Sequence, residues 1–270
     1  MMKQVHFRNS TIRVSDEGTG EAVLLLHGYL ETLDIWDDFC DRLTSCYRVI
    51  RMDVPGHGQS GVVDDTHSMD MIAEAVEAVL QDLNISRCVL VGHSMGGYVS
   101  LAYLANFPKR LAGICLFHSS PLADDAKKKA ARDKEIRLVN DGKLSLICHF
   151  SIPNGFAENN LEKFADKVTF ARELALLSPP DGVTAILRGM RDRPDRQALL
   201  RENSLPILFL LGKYDSYISL EPLLPLAASF PHSETVVLEH SGHSGYIEEP
   251  EKSAGVLLNF IDKCYQKDGE

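Results

Sequence analysis

"VLVGHSMGGYVS", residues 89–100, opens as a run of branched apolar residues and ends as a histidine and a serine set among glycines. The first part reads as a strand buried on both faces, and Gly96 to Phe107, closed by Pro108, as a helix. A G-x-S-x-G motif between a strand and a helix is the setting of a nucleophile elbow, with Ser94 presented at the turn. Gly92, Gly96 and Gly97 let neighbouring backbone pass without a Cβ in the way. The helix start adds unpaired N–H groups and a positive dipole end beside the serine.

Outward from this stretch, strands and helices alternate. VHF and TIRV flank a turn at Asn9-Ser10, and EGTGE leads into AVLLLH. Leu33 to Leu43 reads as helix, YRVIRMDV as strand, Ser68 to Leu83 as helix, RCVLVGH and LAGICLFH as strands. In the Ser68–Leu83 stretch, Met69, Ile72, Val76, Val79, Leu80 and Leu83 recur three and four apart, an apolar stripe for a sheet. Residues 121–202 carry helical patterns and no strand, with breaks at Pro153-Asn154-Gly155 and at Ser178 to Gly182. Alternation resumes with LPILFLLG, Leu220 to Phe230, ETVVLEH and a final helix from Pro250 to Tyr265. The pattern predicts an α/β domain with a mostly parallel, eight-stranded sheet covered on both faces. Residues 1–120 and 203–270 form the core, and 121–202 a helical cap inserted after the sixth strand, at the sheet edge where open α/β sheets bind ligands.

A serine hydroxyl needs a base, and the base needs a group to orient it. Asp215 follows the strand LPILFLLG, and His243 follows ETVVLEH, so both fall at the same sheet edge as Ser94 and in the order Ser, acid, His. His240 ends its strand and reads as packing, Asp53 as a carboxylate bracing the loop DVPGHGQS, and His93 as packing beneath the elbow. The backbone N–H groups of Tyr29 and Met95 are the candidate oxyanion donors. Leu30 and His118 are candidates to line the substrate pocket. Ile136, Leu138, Leu144, Leu146, Ile147, Phe150, Phe156, Phe164 and Phe170 supply apolar surface in the cap, most of it for packing.

HG at 27–28, D-x-P-G-H-G-x-S at 53–60, GHSMGG at 92–97, G-x-x-D at 212–215 and GH-x-x-x-x-E-x-P at 242–250 resemble the α/β-hydrolase fold superfamily, in order and spacing. The segment GMRDRPDRQALLRENSLPILFLLGKYD resembles the cap-to-core junction of its small cofactor-free esterases, enol-lactonases and haloperoxidase-like members. The resemblance implies Ser94 as nucleophile, His243 as base and Asp215 as its partner, with no cofactor. A serine nucleophile speaks against dehalogenases and epoxide hydrolases. Tyr29-Leu30 stands where perhydrolase-type members carry a proline. A menaquinone-pathway lyase of the fold, the SHCHC synthase, has an arginine shortly after its serine motif, where this chain reads Gly97-Tyr98-Val99. The expectation is a serine hydrolase acting on a small ester, thioester or lactone. The alternatives are a lyase using the same three residues for proton abstraction and a non-catalytic small-molecule receptor.

Composition bounds the partners. At 270 residues with net charge −10, a general nucleic-acid or anionic-membrane surface is not expected. The basic group Lys127, Lys128, Lys129, Arg132 and Lys134 reads as a solvated helix face, with steering of an anionic substrate as the other reading. No apolar run reaches the ~20 residues of a membrane helix, and MMKQVHFRNSTIRV has no apolar h-region. Six cysteines without C-x-x-C or paired histidine spacing are expected to be reduced thiols in a cytoplasm, and no metal site is expected.

Overall fold

The computed structural model describes residues 1–266. Eight strands, β1 (Met2–Phe7), β2 (Ser10–Glu17), β3 (Ala22–Leu26), β4 (Arg48–Met52), β5 (Cys88–His93), β6 (Leu111–Phe117), β7 (Ile207–Gly212) and β8 (Ser233–Leu238), form one sheet in the order β1-β2-β4-β3-β5-β6-β7-β8. β1–β2 and β2–β4 pair antiparallel, and every pairing from β4 through β8 is parallel. The chain leaves β3 for β4 on one side and then crosses to β5 on the other. The carboxyl ends of β3 and β5 therefore flank a switch point, where such sheets open a crevice.

Both faces are covered, which is why the central strands are apolar throughout. Leu24, Leu26, Ile50 and Leu90 pack under α2 (Met69–Asp82) and α3 (Met95–Asn106). Val23, Leu25, Val49, Val89 and Val91 pack under α1 (Asp37–Thr44) and a C-terminal helix, Pro250–Gln266. The apolar stripe read for α2 is buried, and the Ser68 hydroxyl caps the helix by accepting from Met71 N–H at 3.1 Å. The helix expected from Leu33 starts as a 3₁₀ turn, Leu33–Trp36, before α1.

Five helices lie between β6 and β7: α4 (Ala126–Asn140), α5 (Leu144–Asn154), α6 (Ala165–Leu176), α7 (Pro180–Asp192) and α8 (Gln197–Glu202). α5 ends at the break expected at Pro153-Asn154-Gly155: Pro153 sits in its last turn and the helix stops at Gly155. Pro180 starts α7, where its missing N–H loses no bond. After β7 come α9 (Leu220–Ala228), then β8, the short α10 (Gly245–Glu248) and α11 (Pro250–Gln266). Among the described residues no helix is long and apolar enough to cross a membrane. Cys40, Cys88, Cys115, Cys148 and Cys264 are buried free thiols and Cys46 is exposed.

Candidate active site

β5 ends at His93 and α3 begins at Met95, so Ser94 alone makes the turn. Its φ of 50° and ψ of −111° are strained for a residue with a Cβ. The turn is held from both ends. Ser94 N–H donates to Phe117 O at 2.9 Å, and its carbonyl accepts from Gly97 N–H at 3.0 Å and from the Ser119 hydroxyl at 2.7 Å. A Cβ at Gly92 would run into the Gly96 carbonyl, and one at Gly96 into that of Leu26. The glycines are thus required by the close approach of β3, β5 and α3.

Asp215 lies just past β7 and His243 just past β8. His243 Nδ1 and Asp215 Oδ2 are hydrogen-bonded at 2.7 Å, which puts the Nδ1 proton toward the carboxylate and leaves Nε2 to face elsewhere. Asp215 Oδ1 accepts from the N–H groups of Tyr217 (2.8 Å) and Ile218 (2.9 Å). Burial alone would raise the carboxyl's pKa, but His243 and His118 hold it well below the usual carboxylate range. Among the described residues no hydrogen bond joins the Ser94 hydroxyl to His243, although both line one cavity of about 310 Å³. Such bonds often tighten only when substrate is present.

His118 corrects an expectation. It does not line the cavity but lies fully buried behind Asp215, with Nδ1 3.4 Å from Oδ2. Its Nε2 accepts from Gly245 N–H at 3.1 Å, so the ring is neutral with its proton on Nδ1. Burial pushes its pKa down to about 4. The cause of the misplacement is its backbone: φ is 50°, which breaks the strand alternation that would have aimed the ring at the cavity. The nitrogen and oxygen atoms of His118, Asp215 and His243 lie within 4.8 Å of one another. Hydrogen bonding accounts for the set, since the 2.7 Å His243–Asp215 bond leaves no room for an ion between them.

The loop after β3 is held by side chains. Gly28 N–H donates to Glu31 Oε2 at 2.6 Å, and Leu30 N–H to His57 Nε2 at 3.1 Å. The N–H between them, that of Tyr29, has no partner among the described residues, and Met95 N–H opens α3 ahead of its first internal bond. Leu30 lines the cavity at a φ of 60°. Asp53 braces the neighbouring loop, accepting from Leu33 N–H (2.7 Å) and Gln59 N–H (2.9 Å). His240 is exposed.

The sequence reading missed Glu31. It is bonded to Gly28 N–H, to the Tyr246 hydroxyl at 2.9 Å and to His93 Nδ1 at 2.9 Å. His93 Nε2 in turn lies 2.8 Å from the backbone oxygen of His243. Both ring nitrogens of His93 face acceptors, so His93 is more than packing. Burial opposes the charges, yet the pairing raises the His93 pKa and holds Glu31 at about 2. One buried ion pair therefore ties the Gly28 loop, the elbow and the His243 loop together. The one acidic residue in the loop HGYLET was the available signal.

Of the nine apolar cap candidates only Phe156 lines the cavity; Ile152, Ala171 and Met190, not singled out, also line it. Leu146, Phe150 and Phe170 are exposed.

A family model described as alpha/beta hydrolase fold matches residues 21–137. The chain is 29% identical to the dihydrolipoyllysine-residue acetyltransferase component of an acetoin cleaving system from Pseudomonas putida, over 90% of this chain. It spans 64% of that relative's length. It is 28% identical to a pimeloyl-[acyl-carrier protein] methyl ester esterase from Aeromonas hydrophila, covering 93% of this chain and 99% of the relative. A thermophilic esterase from Thermogutta terrifontis, solved with malate bound, superposes with a TM-score of 0.93 at 29% identity, over 98% of this chain and 99% of that one.

Proposed function

This chain belongs to the α/β-hydrolase fold superfamily, and from that premise we propose that it is a serine hydrolase cleaving a small carboxylic ester, thioester or lactone through an acyl-enzyme on Ser94. The observation that carries the reading is the strained turn at Ser94, opening on the cavity that His243, bonded to Asp215, also lines.

Ser94 Oγ attacks the carbonyl carbon while His243 Nε2 takes its proton. Asp215 keeps the other imidazole proton on Nδ1 and stabilises the charged ring. Negative charge on the carbonyl oxygen is met by the N–H groups of Tyr29 and Met95. Collapse expels the alcohol or thiol, which takes the proton from His243. Water, deprotonated by the same imidazole, then releases the acid and restores Ser94. Helices of residues 121–202 act as a cap over the core formed by 1–120 and 203–270, setting substrate size and excluding water.

Wild-type protein should hydrolyse p-nitrophenyl acetate and be labelled by a fluorophosphonate. Ser94→Ala should abolish labelling and lower kcat on the order of 10⁶-fold. Wild-type protein that neither labels nor traps an acyl adduct on Ser94 by mass spectrometry would defeat this reading; turnover by proton abstraction without an adduct would favour a lyase.

A further inference from the structure

Lys128, Ala131, Arg132 and Glu135 of α4 all line the cavity. Their spacing of three and four puts them on one helix face. The basic group expected to be a solvated face is therefore divided: Lys127, Lys129 and Lys134 face out, whereas Lys128 and Arg132 border the cavity.

Two donors on this wall are unsatisfied. Arg132 Nε donates to Asp124 Oδ2 at 3.2 Å, but its two terminal nitrogens are neither bonded nor buried. Tyr98 is 7% exposed, its ring lies 3.8 Å beneath the Arg193 guanidinium, and its hydroxyl has no partner among the described residues. A nearly buried hydroxyl is ordinarily paired, so the open Tyr98 donor, lining the same cavity as the Arg132 guanidinium, marks a place for an acceptor.

The charges point the same way. Asp124 is paired to two guanidiniums, Arg193 at 2.8 Å and Arg132 at 3.2 Å. With Lys128 and Glu135, which line the same cavity, counted as well, one positive charge is left over. Glu135 and Arg132 interact electrostatically, but Glu135 Oε1 takes the Tyr29 hydroxyl at 2.9 Å and among the described residues no ion pair within 4 Å joins it to Arg132. Burial raises the Glu135 pKa, against the lowering by the Tyr29 hydroxyl and by Arg132.

We propose that Arg132 and Tyr98 form a carboxylate subsite, so that the preferred substrate is a short ester carrying a second, ionised carboxylate. The free edge of a guanidinium offers two parallel N–H groups that match a carboxylate, and the Tyr98 hydroxyl donates a third bond. Tyr98 stands one helical turn past Ser94, roughly 6 Å along α3, so the spacer between the two functional groups is short. The proposal rests on Ser94 as the reacting residue for its substrate geometry, but the subsite can be tested without turnover.

Binding of monomethyl glutarate and of methyl valerate to Ser94→Ala protein would be compared by calorimetry. The acid should bind at least about 10-fold tighter, as expected of charge-assisted hydrogen bonds. Adding Arg132→Met should remove that preference, and adding Tyr98→Phe should reduce it. Equal binding of the two esters to Ser94→Ala protein, or a preference that survives Arg132→Met, would overturn the subsite. Should Arg132→Met fail to fold, Tyr98→Phe decides by the same ratio. A parallel arm with carboxymethyl butyrate against ethyl butyrate tells whether the carboxylate belongs to the acyl or the alcohol half. If the acid binds as stated while wild-type protein turns over no ester, the subsite stands and the hydrolase reading falls.

Discussion

Two fully buried imidazoles flank His243, and they differ in charge. The ring centroids of His93 and His118 lie 4.8 Å and 5.6 Å from that of His243, and 5.9 Å from each other. His93 faces two acceptors, a carboxylate and a backbone carbonyl, and carries both ring protons. His118 accepts an N–H from Gly245 and therefore keeps one proton. Equal burial with opposite outcomes shows that hydrogen-bond partners, and not depth, decide whether a buried histidine is charged. The charged ring braces loops through an ion pair; the neutral one backs Asp215 without adding a charge.

The largest effect should come from the carboxylate that serves the neutral side. Asp215→Asn leaves an amide between His243 and His118 and no longer enforces the Nδ1 proton on His243. Activity against p-nitrophenyl acetate should fall about 10⁴-fold, as expected when a triad acid becomes its amide. A loss below about 10-fold would mean that the loop and His118 hold the imidazole unaided.

The charged side is broken by Glu31→Gln. Removing one partner of a buried pair destabilises by about 3–5 kcal/mol, measured by urea unfolding near pH 6. The pH dependence separates the ion pair from a generic bond. A raised His93 pKa contributes stability that is complete below the unfolded value of about 6.5 and fades as pH climbs through the folded one. The gap between wild type and variant should therefore narrow toward pH 9. A constant gap would mean that His93 is neutral throughout.

The neutral histidine has the opposite sign. With its folded pKa at about 4, His118 stays unprotonated while the unfolded chain takes up a proton below about 6.5. Stability thus falls as pH drops from about 6.5 to 4, by about 3 kcal/mol at most. His118→Asn tests this, since asparagine tolerates the positive φ at that position. The acid limb of the variant's stability curve should be shallower, with a loss of about 1 kcal/mol at pH 7 for the weakened bonding.

What the sequence disclosed follows from the range of each signal. Strand runs such as LPILFLLG and the stripe of α2 are local, and their order alone yields the sheet and the common edge of Ser94, Asp215 and His243. The Glu31–His93 pair spans 62 residues and has no periodic signature. His118 was legible as a strand-end residue, but its side chain's direction depended on one backbone angle. Arg132 was legible as basic; that it borders the cavity depended on how α4 is laid over the sheet.

Tyr29→Phe gives the smallest expected effect and serves as the control for the comparison. It removes a hydrogen bond at the cavity wall, Tyr29 hydroxyl to Glu135, that touches neither imidazole. The backbone N–H proposed to stabilise the oxyanion stays in place, because Gly28 and Leu30 on either side are held by Glu31 and His57. Stability should drop by about 1 kcal/mol, the usual worth of one such bond, and kcat for a neutral ester should change less than about 3-fold. A stability loss as large as the ~3–5 kcal/mol expected of Glu31→Gln would imply that the cavity responds alike to any missing polar contact. The distinction between the two flanking histidines would then have no special bearing on His243.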